Sequence, residues 1–434
     1  MHPDEAAQRG PSNALVLFLV ALAAAAAYAP ALAIPLFQDD YPNLKQALIY
    51  GPWDGWPALF RDGTFRLRAT SYWTMFLLWR AFHLSAWAYH LASLLLHIAC
   101  AWLVYATALA WGRIRVAAGW AALFFAVQEG HQEAVMWFSA VNELLLFFFG
   151  MAALLCWMKA CAARRSWPWQ AAGMALFVLA ALSKESVVVF LPLFVLTARW
   201  ADWRRWLPRL LPYAAIAALA AASVLASRAY SFRFSDGSFS LHAPFWTTWP
   251  RNFARLMWVW GWVATAIVYL SRDRRLRRQA DVFLVWIGIG LAPYSFLTYS
   301  TEIPSRQTYL ASAGLAFLVG IAAAQAWQRW GHRPRLVSAV LALVLLVNIG
   351  YLWTRKRRQF LERAAPTEQL IELARRTPGP IWVQCYPDPS IIAEEAVRLA
   401  AGREPTGLVW SARDAADLKG VAVFCWPPKE KGSK

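Results

Sequence analysis

Residues 86–111 read AWAYHLASLLLHIACAWLVYATALAW. No Asp, Glu, Lys or Arg interrupts the run, and it exceeds the roughly 20 apolar residues with which a helix crosses the hydrocarbon core of a bilayer. The rest of the 434-residue chain is similar in kind: 59% of it is hydrophobic, only 16% is charged, and Trp occurs 27 times. A soluble chain carries about 25% charge and about 45–50% apolar residues, so this one has too little polar surface to solvate itself. Composition alone places it in a membrane.

Working outward from that run, further apolar stretches lie near 13–33, 116–127, 134–158, 169–182, 187–197, 207–226, 253–270, 282–299, 308–327 and 336–353, about eleven in all. Several are only about 12–15 residues long, shorter than a full span, so their helices are expected to borrow flanking residues. The first run follows a single basic residue, Arg9, and is read as an uncleaved first helix rather than a removed signal peptide.

The 43 basic against 25 acidic residues, a net charge of +18, would suggest nucleic acid on a soluble protein. Here the excess has a plainer reading. With the first helix starting on the cytoplasmic side, alternate loops hold Arg113 and Arg115; Lys159, Arg164 and Arg165; Arg199, Arg204, Arg205 and Arg209; Arg272 to Arg278; and Arg329, Arg333 and Arg335. All fall on one side, as the positive-inside rule requires. The opposite loops are 34–70, 128–133, the corner 183–185, 228–251 and 301–307. The cluster Arg355 to Arg358 then lies outside, against the rule, unless it meets anionic lipid head groups.

From 354 onward the pattern is a small α/β unit: a helix over 367–376, a strand over 381–386, a helix over 390–401 and a strand over 421–426. The two strands end alike, in CYP and CWP. Cys385 and Cys425 either pair in an oxidising compartment or remain two buried thiols on neighbouring strands. Five Cys without a CxxC exclude a disulfide scaffold and a zinc site of ordinary spacing.

Ionisable groups at the edge of a span cost about 2.5–3.5 kcal/mol to insert, which makes them functional candidates. Asp39 and Asp40 in FQDDYPN suit a general base toward an acceptor hydroxyl, or a solvated helix cap. Glu129, His131 and Glu133 in QEGHQE lie within about a turn and suit either mutual hydrogen bonding or a divalent cation. Lys184 and Glu185 in SKES form a local ion pair, or the Lys meets a lipid-linked phosphate; Arg306, just before Tyr309, suits the same phosphate. His83, His90 and His97 recur every seven residues, about 10 Å apart along a helix, too far for any two to chelate one metal.

In order, FQDDYPN, the block from FRLRATSYW to LASLLLH, QEGHQEAVMWFSAVNELLLFFFG, ALSKESVVVFLPL and SRQTYLASAGLAF resemble the membrane core of the transmembrane and tetratricopeptide O-mannosyltransferases. More broadly they resemble the GT-C glycosyltransferases that use polyprenyl-phosphate sugars. The likeness runs from Ile34 to Phe317. It implies an all-α polytopic GT-C-like core, residues 1–353, followed by an extracytoplasmic α/β tail, 354–434. It further implies inverting transfer of a sugar, on the outer face of what is read as a bacterial inner membrane, to a glycan, lipid or protein acceptor. On the matching motifs, Asp39 or Asp40 would be catalytic, Lys184, Arg306 and Tyr309 would hold the donor phosphate, and His90, His97, His131, Glu133 and Glu185 would stand around them. Arg66-Leu67-Arg68 departs from the family's Arg-Pro-Leu, Asn142 stands where an Arg is usual, and no tetratricopeptide array follows. Apart from a possible divalent cation no cofactor is implied, and nucleic acid is not a partner. The alternatives are an O-antigen or polysaccharide polymerase or ligase, expected to carry a larger late outer loop, and a lipid or solute transporter, expected to show inverted repeats.

Overall fold

The computed structural model describes residues 12–426 apart from 113, 164, 199, 228–239, 241, 299–301 and 417–419, so Arg113, Arg164, Arg199 and most of the 228–251 loop lie outside it. Each of the eleven apolar runs contains a helix. In chain order these are α1 (Asn13–Tyr28), α5 (Ala86–Gly112), α6 (Arg115–Val127), α8 (Val141–Ala162), α9 (Trp167–Ala181), α10 (Phe190–Thr197), α11 (Trp203–Ala226), α12 (Phe245–Tyr269), α13 (Arg274–Leu291), α14 (Tyr309–Trp330) and α15 (Pro334–Tyr351). Seven helical stretches, 13–33, 86–112, 138–162, 203–226, 274–296, 305–330 and 334–376, are long and apolar enough to cross a membrane, and three shorter apolar helices accompany them. The protein is a multi-pass integral membrane protein.

The loops carry their own short helices. The first holds α2 (Asp40–Tyr50), α3 (Trp56–Arg61) and α4 (Ala69–Phe82). Helix α6 does not borrow from its flank. At about 1.5 Å per residue it is roughly 20 Å long, well short of a bilayer core. Gln128 turns extended, and the chain continues as a 3-10 turn (Glu129–His131) and α7 (Gln132–Met136). That break places Glu129, His131 and Glu133 on an irregular segment inside the protein, where non-helical backbone at membrane depth is tolerated.

Helix α14 is the packing centre, buried over most of its length and touching α6, α12, α13 and α15. Lipid tails are as apolar as Leu, so helices in a bilayer associate through close backbone approach at small residues. The Ala- and Gly-rich stretch of α14 permits that approach. A Cβ on Gly320 would overlap the carbonyl oxygen of Ala117 in α6, and one on Gly290 of α13 would lie 2.8 Å from Cα of Ala311.

No break separates core from tail at 353. Helix α15 passes through a π-helical turn (Leu352–Lys356) into α16 (Arg357–Arg376). After it come β1 (Ile381–Cys385), α17 (Ser390–Ala401), β2 (Leu408–Val409), α18 (Ala412–Ala416) and β3 (Ala422–Cys425). The order β2-β1-β3 is parallel throughout, with β1 central. Of the two sequence alternatives for the cysteines, the disulfide is the one found: Cys385 is bonded to Cys425. The tail lies against the first loop. Ile371 and Ala396 share a buried cluster with Tyr41, Leu44 and Ala47, while Lys45 pairs with the buried Glu395.

Replacing Gly320 with Leu is expected to force α6 and α14 apart at a cost of about 1–3 kcal/mol. A fall in melting temperature of the detergent-solubilised protein checks this; an unchanged one shows that the contact yields.

Candidate active site

The first loop, the 128–140 stretch, the turn before α14 and the C-terminal region meet at one end of the bundle, and Asp40 ties the first two together. Its side chain is 3% exposed. Oδ1 accepts from the Ser139 amide (2.7 Å) and hydroxyl (2.6 Å), and Oδ2 accepts from the Phe37 amide (2.9 Å). Burial nevertheless raises its pKa to about 7, the three donors opposing the shift. Asp39 differs in every respect. It reaches solvent and makes no side-chain hydrogen bond among the described residues. The protein that walls it still desolvates it and raises its pKa; Arg306 and Arg363 pull the pKa down and Asp388 pushes it up. Its neighbour Gln38 is held at φ +49°, a left-handed conformation uncommon for a residue with a side chain. Gln38 keeps it by donating from Nε2 to Asp388 Oδ1 (2.8 Å) and accepting at Oε1 from Arg363 (2.5 Å).

Glu133 collects the cations. One carboxylate oxygen lies 3.5 Å from Arg306 and the other 3.8 Å from Arg363. Both guanidinium groups also sit 5.0 Å from the centre of the Trp137 ring, a cation–π arrangement on one indole. Arg363 comes from α16, in the stretch read from sequence as tail. No local signal marks it, because it reaches the site only through the docking of that helix. Gln38, Ser139 and Asp388 are equally invisible in the linear pattern, whereas Lys356 belongs to the basic cluster 355–358 that stands against the positive-inside rule.

The remaining candidates form two separate groups. Lys184 is buried in an ion pair with Glu143 and lies 4.7 Å from the Tyr294 ring centre. Beside it Arg68 reaches both oxygens of Glu185 at 3.2 Å, and Thr70 bonds Ser183, fixing the corner against α4. Arg66 takes the carbonyl of Ser223 and the hydroxyl of Ser227. The other group lies deep in the bundle. His97 Nε2 faces the Ala126 carbonyl (3.1 Å), which can only accept, so that nitrogen carries the hydrogen and Nδ1 accepts from Tyr309 (2.6 Å). Ser312 donates to the Tyr309 carbonyl and receives His131 Nε2–H at 2.6 Å. His90 is buried against the Ile34–Pro35 backbone. Tyr309, His97 and His131 are thus engaged in the interior, whereas the buried His90 ring has no hydrogen-bond partner on either nitrogen among the described residues. Among the described residues no group of three His, Cys, Asp or Glu is placed to hold a metal ion.

Three voids adjoin. A cavity of about 700 Å³ between core and tail is bordered by Gln38, Glu133, Lys356 and Arg363. It shares Gln132 and Lys356 with a second space of about 320 Å³ reaching Arg255 and the kink of α12, where Trp258 has φ +35°. That space shares Trp260 with an apolar groove of about 370 Å³ between α6, α12, α14 and α15. An apolar groove, a space bordered by Arg255 and Lys356, and a cavity lined by Gln38, the residue before Asp39, thus share lining residues in succession.

The family model for dolichyl-phosphate-mannose-protein mannosyltransferase matches residues 37–247, just under half of the chain. Among solved structures the chain resembles ArnT from Cupriavidus metallidurans bound to undecaprenyl phosphate, with a TM-score of 0.54 and 14% identity, covering 93% of this chain and 87% of that one. It also resembles the oligosaccharyltransferase AglB from Archaeoglobus fulgidus in complex with an inhibitory peptide and a dolichol-phosphate, with a TM-score of 0.53 and 12% identity. There it covers 90% of this chain and 63% of that one. No curated protein matches by sequence. At such identities the structural likeness shows the fold alone, that of the GT-C glycosyltransferases, while the family model, matching just under half of the chain, supports an enzyme that moves a sugar from a polyprenyl-phosphate donor to an acceptor.

Proposed function

We propose that Asp39 is the catalytic base of an inverting transfer, and that Arg306, Arg363 and Lys356 hold the donor phosphate. The observation that carries this reading is the contrast between the adjacent carboxylates. Asp40 is buried and bound by three donors, whereas Asp39 is open, without a hydrogen-bond partner among the described residues and close to two arginines. The polyprenyl chain would occupy the apolar groove, its phosphate the basic neck, and its sugar the cavity beside Asp39.

The acceptor hydroxyl attacks the anomeric carbon from the face opposite the phosphate, and Asp39 takes its proton. The bond from anomeric carbon to phosphate oxygen breaks with its electron pair, so polyprenyl phosphate leaves with an extra negative charge. Arg306, Arg363 and Lys356 stabilise that charge in a partly water-excluded site, where fixed cations are most effective. Retention by double displacement would need a second free carboxylate about 5 Å from the first, as in retaining glycosidases; Asp40 is committed to Phe37 and Ser139. Lys184 and Glu185 serve here as positioning residues that keep the corner against α4. The Glu129–His131–Glu133 set does not fit a shared cation, since His131 meets Ser312 and Glu133 meets two arginines. The site faces the extracytoplasmic side of the bacterial inner membrane, opposite the Arg-rich loops, in keeping with the positive-inside rule and with the Cys385–Cys425 disulfide in the tail.

Release of polyprenyl phosphate from a panel of polyprenyl-phosphate hexoses tests the assignment. Asp39→Asn is expected to lower turnover by about 10²–10⁴ while retaining undecaprenyl phosphate binding. Native turnover should rise with pH through a midpoint above the ordinary Asp value, since the base acts only once deprotonated. Undiminished turnover in Asp39→Asn would sink the assignment. Arg306→Ala and Lys356→Ala should each weaken undecaprenyl phosphate binding about tenfold, the scale of a charge-assisted hydrogen bond.

Asp40→Asn leaves the Phe37 amide facing an NH₂ group, and a cost of about 1–3 kcal/mol is expected. The folded protein holds the Asp40 proton up to about pH 7, against an ordinary value of 3.8, so the native state binds more protons in that window. Stability therefore declines as pH rises from about 4 to 7. Melting curves across this range should show the Asp40 contribution as a slope that Asp40→Asn removes.

A further inference from the structure

Cys385 and Cys425 join the ends of two neighbouring parallel strands, and the residue that follows each is aromatic. Tyr386 and Trp426 are delivered there into the wall of the cavity that Gln38, the residue before Asp39, also lines. The Trp426 amide donates to the Cys385 carbonyl at 2.9 Å, and the Tyr386 hydroxyl is hydrogen-bonded to Thr367 of α16 at 2.8 Å, so both residues are anchored. Asp388, two residues beyond Tyr386, borders the same cavity, as do the amide side chains of Gln38, Gln132 and Gln359. Neither aromatic side chain is used by the base or by the phosphate cations.

From this we infer that the disulfide-stapled end of the tail is the acceptor subsite and that its ligand is a carbohydrate. This inference rests on the placement of donor and base given above. Aromatic rings offer flat apolar faces to the C–H faces of a pyranose, and carboxylates and amides pair with its hydroxyl groups. The volume, about 700 Å³, lies in the range of small-molecule sites. A peptide acceptor is less well matched: an extended peptide is usually read along a strand edge, whereas β1 and β3 meet the cavity by their ends, and β1 is the central strand. The disulfide sets the separation of the two aromatic residues, and the bond from Gln38 to Asp388 ties this wall to the segment carrying Asp39.

Saturation-transfer NMR on the full-length protein in nanodiscs tests the subsite, with mannotriose, maltotriose, chitotriose and a Ser/Thr-containing peptide as probes. Undecaprenyl phosphate binding is measured in parallel on the same samples. At least one trisaccharide should be saturated through its ring C–H protons. Tyr386→Ala and Trp426→Ala should each reduce that signal about fivefold, the scale of one aromatic contact, and Trp426→Phe should restore most of it. Cys385→Ser with Cys425→Ser should reproduce the loss. Undecaprenyl phosphate binding should be unchanged in every variant, which also reports that each is folded. The inference is overturned by saturation of no saccharide, by saturation of the peptide instead, by a signal that survives both aromatic replacements, or by parallel loss of undecaprenyl phosphate binding. A native protein that saturates a saccharide but does not bind undecaprenyl phosphate supports this subsite and refutes only the donor assignment.

Discussion

The geometry of the reacting end depends on one buried carboxylate. Asp40 accepts hydrogen bonds from the amide of Phe37 and from the amide and hydroxyl of Ser139, joining the first outer loop to the segment between α7 and α8. A buried carboxylate is tolerated only where donors replace its lost water, and here those donors come from two distant parts of the chain. Because Asp40 is drawn inward, Asp39 is turned outward, and the preceding Gln38 takes up a left-handed conformation. Backbone strain of this kind persists where the surroundings over-determine it. At Gln38 the surroundings are Asp388 and Arg363, both supplied by the C-terminal region.

Charge pairing arranges the rest of that end. Lys184 with Glu143, Arg68 with Glu185, and Glu133 with two arginines each bring together groups far apart in sequence. Such pairs add little stability relative to apolar packing, but breaking one leaves a costly unpaired charge. They therefore dictate which loops lie side by side. Arg306 and Arg363, 27% and 33% exposed, remain accessible while sharing Glu133, and Arg363 borders the cavity, whereas Lys184, 5% exposed, is closed off. On the reading proposed above, that difference in exposure favours the arginines and Lys356 over the Lys–Glu corner as the groups that meet a phosphate.

The C-terminal unit belongs to the site as well as to the surface. Helix α16 continues the last span, its Phe360 and Ala364 entering the main core, and its Arg363 reaching Glu133. The basic cluster at 355–358, anomalous under the positive-inside rule, spans the end of the π-helical turn and the start of α16. Lys356 from this cluster lies between the cavity and the basic neck. On the reading proposed above, a donor phosphate would account for this charge, which the simple rule leaves unexplained.

Apolar periodicity, the alternation of basic loops and the α/β pattern of the tail are local properties, because insertion and helix formation respond to the hydrophobicity of one segment at a time. The eleven helices, the strands near 381–385 and 422–425, and the motif-bearing loops were legible for that reason. The sequence by itself also determined which loops hold the unusual charges. It offered no means of choosing between Asp39 and Asp40, identical side chains on adjacent residues. Nor did it separate an accessible Arg306 from a buried Lys184, or place Arg363 beside Glu133. Those distinctions are matters of burial and pairing, which depend on groups brought together from distant positions. The tertiary structure decided them, because the free energy of a charge in a membrane protein is set by what surrounds it, and its surroundings are not its neighbours in the chain.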